Sequence, residues 1–268
     1  MLIIFTDLDG SLLDHHTYSF EKAKPALSII KENQIPLIIT TSKTRKEIEV
    51  IQKKLDIKEP FISENGGGIF FPKGYRNFHI ENCLSVENYY LIQLGKSYRE
   101  IVEFEKDIIK KVKLKGFYFM SVEEIANLTG LSIEEAKLAK EREFTEPFVL
   151  YEEDKLSFLE AKAKEKGIKI TKGGRFYHFI GENQDKGKAV KIVKDIFEKN
   201  TGEKVISVGI GDSKNDIPML EVVDIPVLIK KHDGTYESFS SKNLIKSEYP
   251  GSQGWNQVVM NILNNFKH

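Results

Sequence analysis

Residues 3–13 read IIFTDLDGSLL, an apolar run of the kind that ends up inside a sheet, closed by two carboxylates one residue apart. Like charges taken out of water are costly unless they are paired, hydrogen-bonded or held by a metal ion. In an extended chain residues two apart point to the same side, so Asp7 and Asp9 would leave the strand end together. The fragment also has a plainer reading, in which the run stops at a surface turn and Asp9-Gly10 is ordinary turn chemistry. The flanking sequence decides between them.

Working outward, LIIFT (2–6), IPLIITT (35–41) and FIS (61–63) read as buried strands. Between them lie a helix from about Phe20 to Glu32, with Ser19 as N-cap, and a second opened by the Thr44/Glu47 capping-box pattern. The alternation resumes with a helix over 185–199, a strand over 204–210, a short helix over 217–223, a strand over 225–229 and an amphipathic helix from Gln253 to Phe266. Continuous apolar strands alternating with helices predict a doubly wound, mostly parallel α/β sheet of Rossmann-like type. The middle of the chain differs. Residues 69–80 suggest a hairpin around Pro72-Lys73-Gly74, and a Lys/Glu-rich helix is expected over 97–114. Two short helices with capping boxes follow (Ser121 with Glu124, Ser132 with Glu135), then PFVLY, a helix over 154–166 and two strands within IKITKGGRFYHFIG. This predicts an α+β cap domain over 83–183, inserted into a catalytic core of residues 1–82 plus 184–268.

Composition narrows the function. The 268 residues carry 40 Lys+Arg against 40 Asp+Glu, so no global field favours nucleic acid or an anionic membrane. The single cysteine, Cys83, excludes an intrachain disulfide. The start MLIIFTDLDG lacks a basic leader region, and its apolar stretch is too short to span a bilayer. The expectation is a cytoplasmic protein with no membrane or nucleic-acid partner; the oligomeric state stays open.

Four features fall at the C-terminal ends of core strands, the edge where open α/β sheets bind ligands. They are Asp7 with Asp9, then Thr41 with Ser42 and Lys43, then Lys186 opening the late helix, and GDSKND (211–216) with Asp212 and Asp216. Singly each is bland: a β-branched strand end, a solvated helix start, a turn. Jointly they bring carboxylates, a hydroxyl and an ammonium to one sheet edge. Mg²⁺, which prefers carboxylate, carbonyl and water oxygens, would relieve the repulsion and attract phosphate.

DLDGS, the strand-terminal Thr41, Lys186-Gly187 and GDSKND resemble the four motifs of the haloacid dehalogenase superfamily phosphatases, in the branch with a large α+β cap between the second and third motifs. SKTRKE (42–47), ENGGGI (64–69), LAKEREFTEPF (138–148) and GGRFYHFIG (173–181) resemble the mannosyl-3-phosphoglycerate phosphatases more narrowly. The resemblance implies Asp7 as nucleophile, forming an aspartyl-phosphate, and Asp9 as general acid and then base. It implies Thr41 and Lys186 on the phosphoryl oxygens, and Mg²⁺ on the Asp7 carboxylate, the Asp9 backbone carbonyl and Asp212. Asp216 would position Lys186 or a metal-bound water, and Asn215 would support that water.

The implied substrate joins a carboxylate, a phosphate and a sugar. Arginine suits a carboxylate because its fork is bidentate, which points to Arg175, with His178 and Lys43 beside it. Glu143 and Glu146 would accept hydrogen bonds from sugar hydroxyls. Each of these is also readable as a surface charge or a packing contact within the cap, and Trp255 reads as a core anchor. Two alternatives share the core motifs: a phosphatase for other sugar phosphates, and a phosphate-binding module without catalysis.

Overall fold

The computed structural model describes residues 1–173 and 176–266. The first half of the chain forms β1 (Leu2–Thr6), α1 (Lys24–Glu32), β2 (Leu37–Thr40), α2 (Arg45–Leu55), β3 (Phe61–Ser63), β4 (Gly68–Pro72), β5 (Leu84–Val86) and β6 (Tyr89–Gln93). Next come α3 (Tyr98–Ile108), β7 (Leu114–Gly116), α4 (Val122–Thr129), α5 (Ile133–Lys140), β8 (Thr145–Leu150), α6 (Leu156–Lys164), β9 (Ile168–Gly173) and β10 (Phe176–Gly181). The chain closes with α7 (Lys186–Thr201), β11 (Ile206–Gly211), α8 (Ile217–Leu220), β12 (Ile225–Lys230), β13 (Ile245–Pro250) and α9 (Gly251–Phe266).

The large sheet has the order β13-β12-β11-β1-β2-β3-β4-β6-β5. Strands β13 to β3 run parallel, and β4, β6 and β5 add an antiparallel edge. Successive side chains of β1 serve opposite faces. Ile4 packs with Leu37 and Trp255 on the side of α1 and α9, and Ile3 and Phe5 pack with Val193 and Phe197 on the side of α7. Burial on both faces is why β1 reads as an unbroken apolar run rather than an alternating one. Each such side chain contributes about 1.5–3 kcal/mol. Trp255 is fully buried, and its Nε1 donates to Thr6 Oγ1 at 2.9 Å, so the expected core anchor also braces the end of β1.

The small sheet, β7-β8-β10-β9, is antiparallel. Phe148 and Phe179 stack within it at 4.0 Å between ring centroids, and Ile101, Phe104 and Leu159 of the helices pack with them. Both sheets match the expected architecture. Among the described residues no helix is long and apolar enough to cross a membrane.

Two expected elements are corrected. The strand Gly68–Pro72 does not fold back on residues 75–80; it pairs with β6, from Gly68↔Gln93 to Pro72↔Tyr89, and Tyr75–Asn77 form a 3₁₀ turn. Leu84 to Gln93 therefore extend the large sheet, and elements of the small sheet's layer begin after Gly95. The helix expected over 97–114 ends at Ile108, because Leu114 pairs with Leu150 to start β7. Helix propensity there yields to tertiary pairing. Ser97 and Glu100 form a capping box at its start that the sequence reading did not include.

Candidate active site

The three strand-end features and Lys186, which opens α7, converge where the parallel order reverses, between β1 and its neighbours β11 and β2. The backbone N–H of Asp7 donates to Ile210 O at 2.8 Å, which carries the β1–β11 ladder one residue past the strand. Thr6 Oγ1 donates to Asp7 O at 2.8 Å. Gly10 then turns the chain at φ +80°; a Cβ there would lie 2.6 Å from Asp212 Oδ2, so the close approach of the two loops requires glycine.

Lys186 is 1% exposed, and its ammonium donates to Asp7 Oδ1 at 2.7 Å and Asp216 Oδ1 at 2.6 Å. The other Asp216 oxygen accepts from the backbone N–H groups of Asp212 (3.1 Å) and Ser213 (3.0 Å). Asp216 thus joins the lysine to the loop that carries Asp212. Asp7, Asp212 and Asp216 each place a carboxylate oxygen within 4.8 Å of the others. Burial pushes the Asp7 carboxyl up to about 7; Lys186 opposes this, and Asp216 and Asp9 add to it. Burial followed by Asp216 and Asp7 pushes Asp212 up to about 8. Burial disfavours the charge on Lys186, yet Asp216 and Asp7 hold its pKa above the ordinary lysine value.

Asp212 Oδ1 is buried with no hydrogen-bond partner. A buried carboxylate oxygen without a donor, beside two further carboxylates and a single ammonium, is a donor set that fits a hard divalent cation. Asp9 differs. Its Oδ2 pairs with Lys43 Nζ at 3.0 Å, outside the group formed by Asp7, Asp212 and Asp216. Lys43 also reaches Glu47 at 3.6 Å; burial opposes its charge, and Asp9 and Glu47 hold its pKa above the usual value. Thr41 is buried just past β2, its N–H on Ile62 O at 3.1 Å. Asn215 donates to Asn65 Oδ1 at 2.9 Å, which ties the 211–216 loop to the turn after β3.

An open cleft of ≈ 210 Å³ adjoins this cluster on the side of Asp9, Ser42 and Lys43. Asp9 and Lys43 line its floor, and Arg142, Pro147, Phe176 and His178 come from the small-sheet side. His178 is buried; burial, then Arg142, push its pKa down to about 3, so it is neutral near pH 7.

The two glutamates expected at sugar hydroxyls are not brought to this cleft. Glu146 is fully buried in the small-sheet half, accepting from Tyr118 N at 2.6 Å and Tyr98 OH at 2.7 Å, beside Glu105. Glu143 pairs with Arg45 Nε at 3.2 Å. Arg175 lies outside the described residues. The sequence reading passed over Arg142, which lines the cleft between the two sheets. The signal was present in EREFTEPF (141–148): the bidentate argument made for Arg175 applies equally to the arginine between Glu141 and Glu143.

A family model described as haloacid dehalogenase-like hydrolase matches residues 4–236. A protein of Persephonella marina named glucosyl-3-phosphoglycerate/mannosyl-3-phosphoglycerate phosphatase is 57% identical over 263 residues, covering 98% of this chain and 97% of that protein. A mannosyl-3-phosphoglycerate phosphatase of Pyrococcus horikoshii is 41% identical over 222 residues, 83% of this chain and 88% of its own length. Among solved structures, Thermoplasma acidophilum 0175 superposes with a TM-score of 0.68 at 15% identity, covering 98% of this chain and 99% of that one, a likeness of fold.

Proposed function

Because the chain belongs to the haloacid dehalogenase-like hydrolases, we propose that it is a cytoplasmic, magnesium-dependent phosphatase that hydrolyses mannosyl-3-phosphoglycerate to mannosylglycerate. The observation that carries this reading is the division of labour between two carboxylates two residues apart. Asp7 is buried against Lys186, while Asp9 leaves the acidic cluster for Lys43 and lines the cleft. This supports Asp7 as the nucleophile and Asp9 as the proton carrier to a leaving group.

A carboxylate oxygen of Asp7 attacks phosphorus as the bond to the glycerate oxygen breaks, which gives an aspartyl-phosphate. Asp9 donates a proton to the departing alkoxide, whose high pKa makes a general acid valuable. The same carboxylate then takes a proton from water as that water attacks phosphorus, releasing phosphate and restoring Asp7. Lys186 offsets charge on Asp7 and on the equatorial oxygens, Thr41 donates to a phosphoryl oxygen, and Asp216 keeps Lys186 in place. Asp7 and Asp212, with the Asp9 carbonyl, would hold Mg²⁺, which when bound neutralises phosphoryl charge and aligns the ester for in-line attack. Lys43, His178 and Arg175 are proposed on the substrate's glycerate side, and the cap of residues 83–183 as the source of specificity.

The Persephonella marina relative carries a glucosyl ester in its name as well as the mannosyl one, which favours a second reading in which both glycosyl esters are substrates. Phosphate release with Mg²⁺ should be compared across mannosyl- and glucosyl-3-phosphoglycerate, mannose 6-phosphate and p-nitrophenyl phosphate. The proposal expects kcat/KM for a glycosyl-3-phosphoglycerate to exceed that for the hexose phosphate by about a hundredfold or more. Equal values would leave only a general sugar phosphatase, and turnover of the glucosyl ester decides between the two readings.

A further inference from the structure

We propose that Arg142 binds the carboxylate of the substrate, as the specificity-determining residue of the cleft. The inference rests on the reading of the substrate as a phosphoglycerate ester. Lys43 and Arg142 are the lysine and arginine that line the cleft among the described residues. Lys43 is committed to Asp9 at 3.0 Å and Glu47 at 3.6 Å. Arg142 is also engaged, but its guanidinium has N–H groups left without an acceptor. Its Nη1 and Nη2 both donate to one acceptor, Ser42 O, at 3.2 and 3.3 Å. Its Nε is buried with no hydrogen bond, and it forms a long ion pair with the buried Glu64 Oε2 at 3.8 Å.

A guanidinium carries five N–H groups in a fixed fork, and two of these are spent on a single carbonyl. The Arg142 side chain is only 4% exposed, so water does little to satisfy the remainder, and buried donors without acceptors are costly. A second unpartnered group stands on the same wall: His178 is 6% exposed, and its Nδ1 is buried without a partner. Neutral His178 brings no charge, so among the described residues of this wall the positive charge is Arg142's. The phosphoryl group already has its partners in the Asp7–Lys186 cluster and Thr41. The anion left over on a phosphoglycerate ester is a planar carboxylate, the shape that the arginine fork matches and an ammonium does not. Because Arg142 is anchored on Ser42, next to Thr41, carboxylate and phosphoryl seats hang on one loop.

The competing role is purely structural, a clamp that joins the small-sheet side to the 41–44 loop. A pair of probes that differ in the carboxylate separates the two: 3-phosphoglycerate and glycerol 3-phosphate, each measured as a competitor of p-nitrophenyl phosphate hydrolysis by the Mg²⁺-loaded full chain. The wild type should bind 3-phosphoglycerate tighter by about 10–100-fold, the span of a charge-assisted pair. Arg142→Ala should bring that ratio near one, and Arg142→Lys should keep an intermediate ratio because charge survives without the fork. A ratio unchanged in Arg142→Ala, equal losses on both probes, or a ratio lost in Arg175→Ala and kept in Arg142→Ala would each overturn the proposal. If Arg142→Ala does not fold, Arg142→Lys and Arg142→Gln carry the same test. Failure to hydrolyse the mannosyl ester with the ratio behaving as expected would remove the functional reading and leave this one. Hydrolysis of that ester with a ratio insensitive to Arg142 would do the reverse.

Discussion

Glu64, in the turn that leaves β3 of the large sheet, accepts a hydrogen bond at 2.7 Å from Thr145 Oγ1 at the start of β8 in the small sheet. The same carboxylate accepts from Glu143 N at 2.8 Å and Phe144 N at 3.1 Å. Burial pushes the Glu64 pKa up, and Arg142 with these donors pulls it back. Glu64 (φ 47°) and Asn65 (φ 57°) both occupy the left-handed region, which costs on the order of 1–3 kcal/mol per residue and persists only where the surroundings enforce it. Here they are enforced from both sides, since Asn65 N also donates to Thr41 O at 2.9 Å.

Glu64→Gln should therefore cost about 1–3 kcal/mol in urea unfolding, because one side of the amide turns N–H groups toward donors and leaves them unmet. Thr145→Val, which removes a single donor, should cost about 1 kcal/mol. Unfolding midpoints of Glu64→Gln that match the wild type would mean the junction between the sheets does not depend on this carboxylate.

Asp7→Asn should abolish phosphate release, by about 10⁴-fold or more, as removal of a nucleophile does. It should not lower the melting temperature. The folded state holds Asp7 under strain from burial and from Asp216 and Asp9, and an amide removes that charge while Lys186 keeps Asp216. Thermal unfolding and a phosphate-release assay on one preparation check both halves; a variant that is active, or that is inactive because it is unfolded, counts against the assignment.

The core strands and the three strand-end features were legible because burial writes itself as unbroken apolar runs, and chemistry shows where such runs stop at Asp7, Thr41 and Gly211. The partner of β4 was not legible: a strand does not announce which neighbour it takes, and Pro72-Lys73-Gly74 looks like a hairpin turn while the chain goes on to residue 89. Glu146 and Arg142 stand in one octapeptide with the same apparent polarity. Whether a charge faces a cleft or is sealed beside Glu105 depends on the packing of α3 and β7 against β8, which no local pattern encodes.

The sealed pair leads to a pH dependence. Glu105 is pushed up to about 8 by burial and then by Glu146, and Glu146 is pushed up to about 7 chiefly by burial. Both values lie above the unfolded carboxylate range of about 4.3, so the folded protein binds more protons than the unfolded one in between. The stabilisation is complete below about pH 4 and is lost as pH rises through 7 to 8. Glu105→Gln keeps a hydrogen-bonding amide at that place without a titrating proton. The difference in urea midpoint between this variant and the wild type should move in favour of the variant from pH 5 to pH 9. A difference that stays flat over that range would mean the pair does not share a proton.

Cation binding should carry the complementary sign. Asp7 and Asp212, pushed up to about 7 and 8 without a cation, must lose protons to ligate one, so Mg²⁺ binding should release protons and strengthen as pH rises toward 8. Titration calorimetry of chelator-treated protein in two buffers of different ionisation heat reads the release directly. At a Mg²⁺ concentration about a hundredfold above Kd the folded state should gain about 2.7 kcal/mol. Asp212→Asn should weaken binding because it takes away the carboxylate whose Oδ1 has no other partner, whereas Asp14→Asn, whose Oδ1 accepts from Ser252 N at 3.2 Å, should not. Mg²⁺ affinity that is indifferent to Asp212, or binding with no proton release at pH 7, would mean the buried carboxylates repel one another for some other purpose.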